Sequence, residues 1–312
     1  MDIIKDTIEF NIPEDTVVTI GKFDGIHNGH LRILDRMREF RARGYKLCVL
    51  TFDRSPAALG FGKDKKVLMS MKEKERAFDA LGIDYLVEFP FYEKTASIDA
   101  MTFIEEFIVD RLHAKAVVVG TDCSFGQGAK GNAQMLRDYG PIYDYEVCIL
   151  EKLMDGDREI SSSYLRELIQ AGDVAKVTEL SYRPAYVTGK FKVGPSRIST
   201  YLNGYFLTLP EEKVLPKPGV YYSMVFYEDS PYPAITAVFE EERMFETYIY
   251  HDVKGISSQE ITLGLLCWVR DNVSCDTIEE LNLKVREDIF EGQKWHKENF
   301  GKYMEMLSTV EC

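Results

Sequence analysis

Residues 21–30 read G-K-F-D-G-I-H-N-G-H and stand between two segments of opposite periodicity. Val17, Val18, Thr19 and Ile20 form a β-branched run, which predicts a short buried strand. After the motif Leu31, Ile33, Leu34, Met37 and Phe40 recur at helical spacing, with Arg32, Asp35, Arg36 and Arg38 between them, and Gly44 closes the segment. A strand that turns through glycines into a helix leaves backbone N–H groups facing whatever sits above the turn, and the helix dipole favours an anion there. A phosphate fits that description. Gly29 leaves the space between His27 and His30 clear, and both imidazoles could donate to phosphate oxygens as charge builds in a transition state. The plainer reading makes both ordinary turn residues.

Moving outward, the alternation repeats. Lys46 to Phe52 is an apolar strand, and a loop with Pro56, Gly60 and Gly62 leads through Lys63 to a helix from about Ser70 to Leu81. Asp84 to Phe91 is a further strand, Asp99 to Leu112 an amphipathic helix, and Lys115 to Gly120 a strand followed by glycine-rich residues Gly126 to Gly131. A short helix near Ala133 to Arg137 and a strand near Glu146 to Leu150 complete the series. Such alternation predicts a Rossmann-like parallel sheet covered on both faces, with ligands at the carboxyl ends of its strands.

Composition sets the outer bounds. The 312 residues suffice for two cores, and 45% hydrophobic with 29% charged residues is ordinary for a globular protein. A net charge of −13 argues against nucleic acid or an acidic membrane surface as partner, because long-range repulsion opposes approach to a polyanion. Charges at Asp2, Lys5 and Asp6 do not suit a signal peptide, and no apolar run approaches a membrane span. The six cysteines lack any C-x-x-C pair, so reduced thiols in a cytoplasmic protein are expected.

The motif resembles the H-x-G-H signature of the nucleotidylyltransferase superfamily, and in its longer form is similar to the adenylyltransferase module of prokaryotic bifunctional riboflavin kinase/FAD synthetase proteins. Three further stretches carry the resemblance. Lys72 to Phe91 resembles the family's helix that ends at L-G-x-D before a strand. Gly120 to Gly131, G-T-D-C-S-F-G-Q-G-A-K-G, looks like its flavin-site loop, which implies flavin contacts from Asp122, Phe125 and Gly126. On residue chemistry alone Asp122 could equally be a turn carboxylate and Phe125 a core aromatic. Ile160 to Arg166, I-S-S-S-Y-L-R, matches the family's I-S-S-T-x-I-R. Hydroxyls at Ser161, Ser162 and Ser163 can cap a helix, or can clamp a triphosphate with the planar fork of Arg166. The resemblance thus implies ATP and FMN as substrates, FAD as product and Mg²⁺ as cation. Catalytic roles fall to His27, His30 and Arg166, and phosphate contacts to Gly21, Phe23, Asp24, Gly25, Gly29 and the serines. One departure stands out: the family's T-F-x-P-H-P is here T-F-D-R-S-P, so Ser55 replaces histidine and Arg54 proline. That predicts altered substrate binding, with Arg54 either reaching a phosphate or remaining a solvated charge.

Beyond Arg183 to Gly189 the pattern turns to short strands: Tyr186 to Lys192, Tyr205 to Leu209, Gly219 to Tyr227, Ala234 to Phe239 and Phe245 to His251. These predict a smaller antiparallel β-barrel or sandwich over 185–312, behind a nucleotidylyltransferase domain over 1–184. A terminal helix from Thr277 to Trp295 opens with a Thr277/Glu280 capping box. The layout resembles the family's riboflavin kinase barrel, which implies Glu246 as a residual kinase base. The family's metal-binding P-T-A-N is absent between Gly189 and Pro210, so a degenerate kinase domain is expected, unless Asn203 or Thr208 supplies the ligands from a shifted register. The expected function is AMP transfer from ATP to FMN. Its rivals are a related transferase with another acceptor and a flavin- or nucleotide-binding regulatory protein without catalysis.

Overall fold

The computed structural model describes residues 1–54, 66–197, 199, 202–228 and 230–308, with side chains as far as 303. Ser55 and the loop through Pro56, Gly60, Gly62 and Lys63 lie outside the described residues. The chain divides into two compact units, Met1–Lys65 with Ser70–Ser161, and Lys66–Met69 with Ser162–Cys312.

The first unit is built on a six-stranded parallel sheet ordered Asp2–Lys5, Tyr85–Phe89, Lys46–Phe52, Thr16–Ile20, Ala114–Gly120, Glu146–Leu150. From Thr16–Ile20 the chain first builds outward through Lys46–Phe52 and Tyr85–Phe89, then returns to add Ala114–Gly120 on the opposite side. The order therefore reverses between Thr16–Ile20 and Ala114–Gly120, the place where open α/β sheets form a crevice at their carboxyl ends. Gly21–His30 and the Gly120–Gly131 loop leave the sheet on either side of that reversal. All five residues of Thr16–Ile20 are buried, as a strand covered on both faces requires. The core behind it is aromatic, with Phe89, Phe103, Phe107 and Phe125 packed around Val18, Val117 and Val119.

Lys46–Phe52 and Glu146–Leu150 form as the sequence predicts, and the helix expected from Ser70 runs Met71–Ala80 with a reciprocal Ser70/Glu73 capping box. Two elements differ. The helix expected near Ala133 to Arg137 extends to Tyr143, with Pro141 accommodated within it. Asp99 caps only a short α-helical start, Ala100–Thr102, after which Phe103–Arg111 is π-helical.

The second unit holds a seven-stranded antiparallel sheet ordered Ala185–Lys190, Glu260–Arg270, Gly219–Tyr227, Ser230–Phe239, Met244–Ile249, Asn203–Thr208, Lys192–Pro195. It curls into a half-barrel, helped by register breaks between Val220/Tyr221 and Tyr222/Ser223 against Glu260–Arg270. Phe191, Leu207, Tyr221, Val225, Val238, Phe245 and Leu263 fill its concave side. Helix Ile278–Ser308 lies against the other face, where Tyr222 meets Trp295 at 5.0 Å between ring centroids. Two preceding helices, Ser162–Ala171 and Val174–Leu180, belong to this unit.

Candidate functional site

The loop after Thr16–Ile20 is shaped by its own small residues. Gly21 lacks a Cβ because one would stand 3.0 Å from the Phe23 ring, and Phe23 and Gly25 take left-handed φ values of 47° and 68°. Gly29 permits a close approach of another kind: its Cβ would lie 3.1 Å from His27 Nδ1. His27 is the N-cap of helix Asn28–Arg38, whose first turn carries no acidic residue while Arg36 and Arg38 sit in its last turn. The positive end of the helix is thus left free for an outside anion.

The two imidazoles stack, with centroids 3.7 Å apart and planes at 19°, and His30 lies 4.8 Å from the Phe23 ring. The His27 backbone N–H donates to His30 Nδ1 at 3.4 Å, so a neutral His30 carries its proton on Nε2. His27 is only 8% exposed, and its Nδ1 is buried without a hydrogen-bond partner among the described residues. Burial pushes the His27 pKa down to about 4 against the opposing pull of Asp122, Glu159 and Asp24. His30 lies well below the usual histidine range, first through burial and then through His27 and Lys74. Both rings are accordingly neutral near pH 7, and an arriving polyanion would favour their charged forms.

Lys74, Lys152 and Glu159, which motif reading passed over, belong to this constellation. Lys74, in helix Met71–Ala80, donates from Nζ to the Lys22 carbonyl at 2.8 Å. Lys152 lies between Asp122 and Glu159, at 3.5 and 2.8 Å from their carboxylates. Lys74 lies inside the charged K-E-K-E-R run, where sequence alone gives no sign that it is buried. Of the flavin-loop residues, Asp122 is exposed and paired with Lys152. The Phe125 ring is in the core, 3% exposed and 5.4 Å from Phe103. Gly126 has φ 69° and ψ 177°, a conformation nearly confined to glycine, and its Cβ would meet the Ala100 backbone at 2.7 Å. Arg54 makes a local ion pair with Asp53 at 3.0 Å.

In the second unit Ser162 and Ser163 open helix Ser162–Ala171, and Ser161 ends the first unit. Arg166 donates from Nε to the Lys66 carbonyl at 2.7 Å. Glu246, 2% exposed in strand Met244–Ile249, accepts from Ser196 Oγ and from the Arg197 backbone N–H at 3.0 Å. The ladder pairs Phe206 with Glu246, so Gly204, Phe206 and Thr208 share its face, while Asn203 falls on the opposite one. Beside Glu246, its ladder neighbour Ala237 lines a groove with Ile235, Tyr248, Val285, Arg270 and Asp288. The Arg270 guanidinium is fixed there by the Asp288 carboxylate at 3.1 Å.

The FAD synthetase family model matches residues 9–164, and the riboflavin kinase model matches residues 183–296. The chain belongs to the bifunctional riboflavin kinase/FMN adenylyltransferase family. The bifunctional riboflavin kinase/FMN adenylyltransferase of Bacillus subtilis is 30% identical, over 88% of this chain and 90% of that protein. The Escherichia coli protein of the same name is 26% identical, over 88% and 91%. A Listeria monocytogenes protein named FAD synthetase is 31% identical, over 66% of this chain and 79% of its own length. A solved structure titled macrolide-efflux protein, from Streptococcus pneumoniae, is 26% identical with a TM-score of 0.81, covering 94% of this chain and 98% of its own. Among the described residues no helix is long and apolar enough to cross a membrane. Membership makes the chain a nucleotidyltransferase enzyme of flavin metabolism, as the Gly21–His30 motif predicts. The riboflavin kinase match means that the expected loss of kinase activity is not decided by family membership.

Proposed function

We propose that this family member transfers AMP from ATP to FMN: an FMN phosphate oxygen attacks the α-phosphorus in line, the α–β bridging oxygen leaves with pyrophosphate, and FAD forms. The observation that carries the reading is the His27/His30 stack at the sheet's reversal point, with a buried His27 Nδ1 that lacks a partner among the described residues. Buried polar nitrogens are rarely left without a partner, so a ligand phosphate oxygen arriving at the helix N-terminus would complete the site. Catalysis is by positioning and by donors aimed at developing charge, with no covalent intermediate. Gly21, Phe23, Asp24, Gly25 and Gly29 shape the phosphate cradle. Ser161, Ser162, Ser163 and Arg166 supply further donors to the triphosphate, and the loop at Asp122 and Gly126 lines the flavin side. The Phe125 ring supports that loop from the core. Mg²⁺ carried in with the triphosphate would neutralise charge on its phosphate oxygens. The test is incubation with FMN and ATP; FAD and pyrophosphate are expected, and flavin binding without FAD would favour the regulatory alternative.

We also propose that the second unit does not phosphorylate riboflavin. Kinase chemistry needs a metal-bridged triphosphate and a base free to take the attacking hydroxyl's proton. The Glu246 carboxylate is already bonded to Ser196 and Arg197, and its strand neighbours Gly204 and Phe206 bring no side-chain oxygen to that face. Asn203 lies on the other face, and Thr208, on the Glu246 face, is displaced two residues along the strand opposite Met244, which counts against a shifted register. The groove beside Glu246 would then bind flavin or serve structure alone.

A further inference from the structure

The carbonyl of Lys22 is held by two buried donors from two other elements. Lys74, 8% exposed, reaches it from helix Met71–Ala80 at 2.8 Å, and Thr51, 0% exposed at the end of Lys46–Phe52, reaches it through Oγ1 at 3.2 Å. A buried ammonium is costly, and ordinary packing at position 74 would need no charge. The Asp24 and Glu88 carboxylates favour the charged form, yet burial still lowers the Lys74 pKa. The side chain spends that cost on a main-chain oxygen.

Fixing this carbonyl fixes more than one atom. A trans peptide points its C=O and N–H in opposite directions, so the Phe23 N–H must face away from Lys74 and Thr51. That N–H donates to no described residue, although Phe23 is only 1% exposed. Buried backbone donors without partners are rare. This one lies in the same loop as the orphaned Nδ1 of His27, between a Phe23 with φ 47° and a Gly25 with φ 68°. Two unpaired buried nitrogens in one short loop indicate a multi-oxygen acceptor.

We propose that Lys74 and Thr51 are positioning residues, which hold the Lys22–Phe23 peptide so that the Phe23 N–H donates to the polyphosphate of the nucleoside triphosphate. This rests on the reading of Gly21–His30 as a phosphate site and assigns that site's geometry to two side chains outside the motif. Lys74 acts through the peptide and touches no reacting atom.

The test uses the full chain, labelled with ¹⁵N-phenylalanine, and inorganic tripolyphosphate as the probe. Wild type should bind it with a shift of the Phe23 amide resonance. Thr51→Val keeps the shape and removes the hydroxyl, and Lys74→Met keeps the length and removes the donor. Each should weaken binding about tenfold and reduce the Phe23 shift, as expected for loss of a buried hydrogen bond. Thr51→Ser, which restores the hydroxyl, should recover both, and this pair keeps the test decisive if the Lys74 variant does not fold. Binding unchanged in Thr51→Val overturns the proposal, as does a Phe23 resonance that stays still while wild type binds. Failure of wild type to bind the probe, with no FAD made from FMN and ATP, would overturn the phosphate site itself and this proposal with it.

Discussion

His27 and His30 are neutral rings near pH 7 in the empty protein, and the proposed role gives them two separable signatures. The first is kinetic: His30→Ala should lower turnover at least about a hundredfold, the usual cost of removing one donor from a developing charge, measured as FAD formed per enzyme. Near-normal rates in both His27→Ala and His30→Ala would make the stack structural. The second is thermodynamic. The folded pKa of His27, about 4, lies below the unfolded value of 6.5, so the unfolded chain takes up the proton first. Stability from this group is complete above about pH 6.5 and is lost as pH falls towards 4. Within that window His27→Gln should flatten the dependence of unfolding free energy on pH by up to about 1.4 kcal/mol per pH unit. Denaturant titrations from pH 4 to 7 measure it. The motif's chemistry was legible because it is local: glycines, a cap and two rings are adjacent in sequence. The neutrality of the rings was not, because it comes from burial under residues such as Phe23 and from Lys74, far along the chain.

The Gly120–Gly131 loop holds its Phe125 ring in the core while Asp122 is exposed. Its glycines answer to a packing demand: Gly131 lies where a Cβ would be 2.4 Å from the Phe125 ring, and Gly126 abuts Ala100. The Gln127 N–H, donating to the Ile98 carbonyl at 2.7 Å, ties the loop to the residue just before the Asp99 helix cap. Gly126→Ala should therefore destabilise the first unit by about 2–3 kcal/mol, through both φ strain and backbone collision, as read from urea unfolding. In the second unit, Asp288→Ala leaves the Arg270 guanidinium part-buried without its partner, and should cost about 3 kcal/mol by the same measurement. Strand Glu260–Arg270, which pairs with both Ala185–Lys190 and Gly219–Tyr227, escaped sequence reading because its Gly264 and Cys267 break the run of β-branched residues. Edge strand Asp2–Lys5 escaped because four residues with two charges give little alternation, and only pairing with Tyr85–Phe89 defines it. The terminal helix runs to Ser308, well beyond Trp295, because a long helix face continues to pack on the sheet through Tyr303.

Taken as a whole, the chain matches both domain models of its family, FAD synthetase over 9–164 and riboflavin kinase over 183–296. In the first unit strand, turn, paired histidines and helix agree with the parallel sheet around them, which is why the fold could be read from the alternation of periods. In the second unit the half-barrel persists through its own apolar core, with Phe245 on the concave side and Glu246 behind it, and needs no ligand to form. The division at Ser161/Ser162 could not be read from composition, because helices Ser162–Ala171 and Val174–Leu180 carry ordinary amphipathic patterns that suit either neighbour. If both proposals hold, the chain is a one-activity enzyme in a family named for two activities. The full chain supplied with ATP and Mg²⁺, and with either FMN or riboflavin, should convert FMN to FAD with release of pyrophosphate and leave riboflavin unphosphorylated when the flavins are separated by chromatography. FMN formed from riboflavin would contradict the reading of Glu246, and FMN recovered unchanged would contradict the reading of His27 and His30.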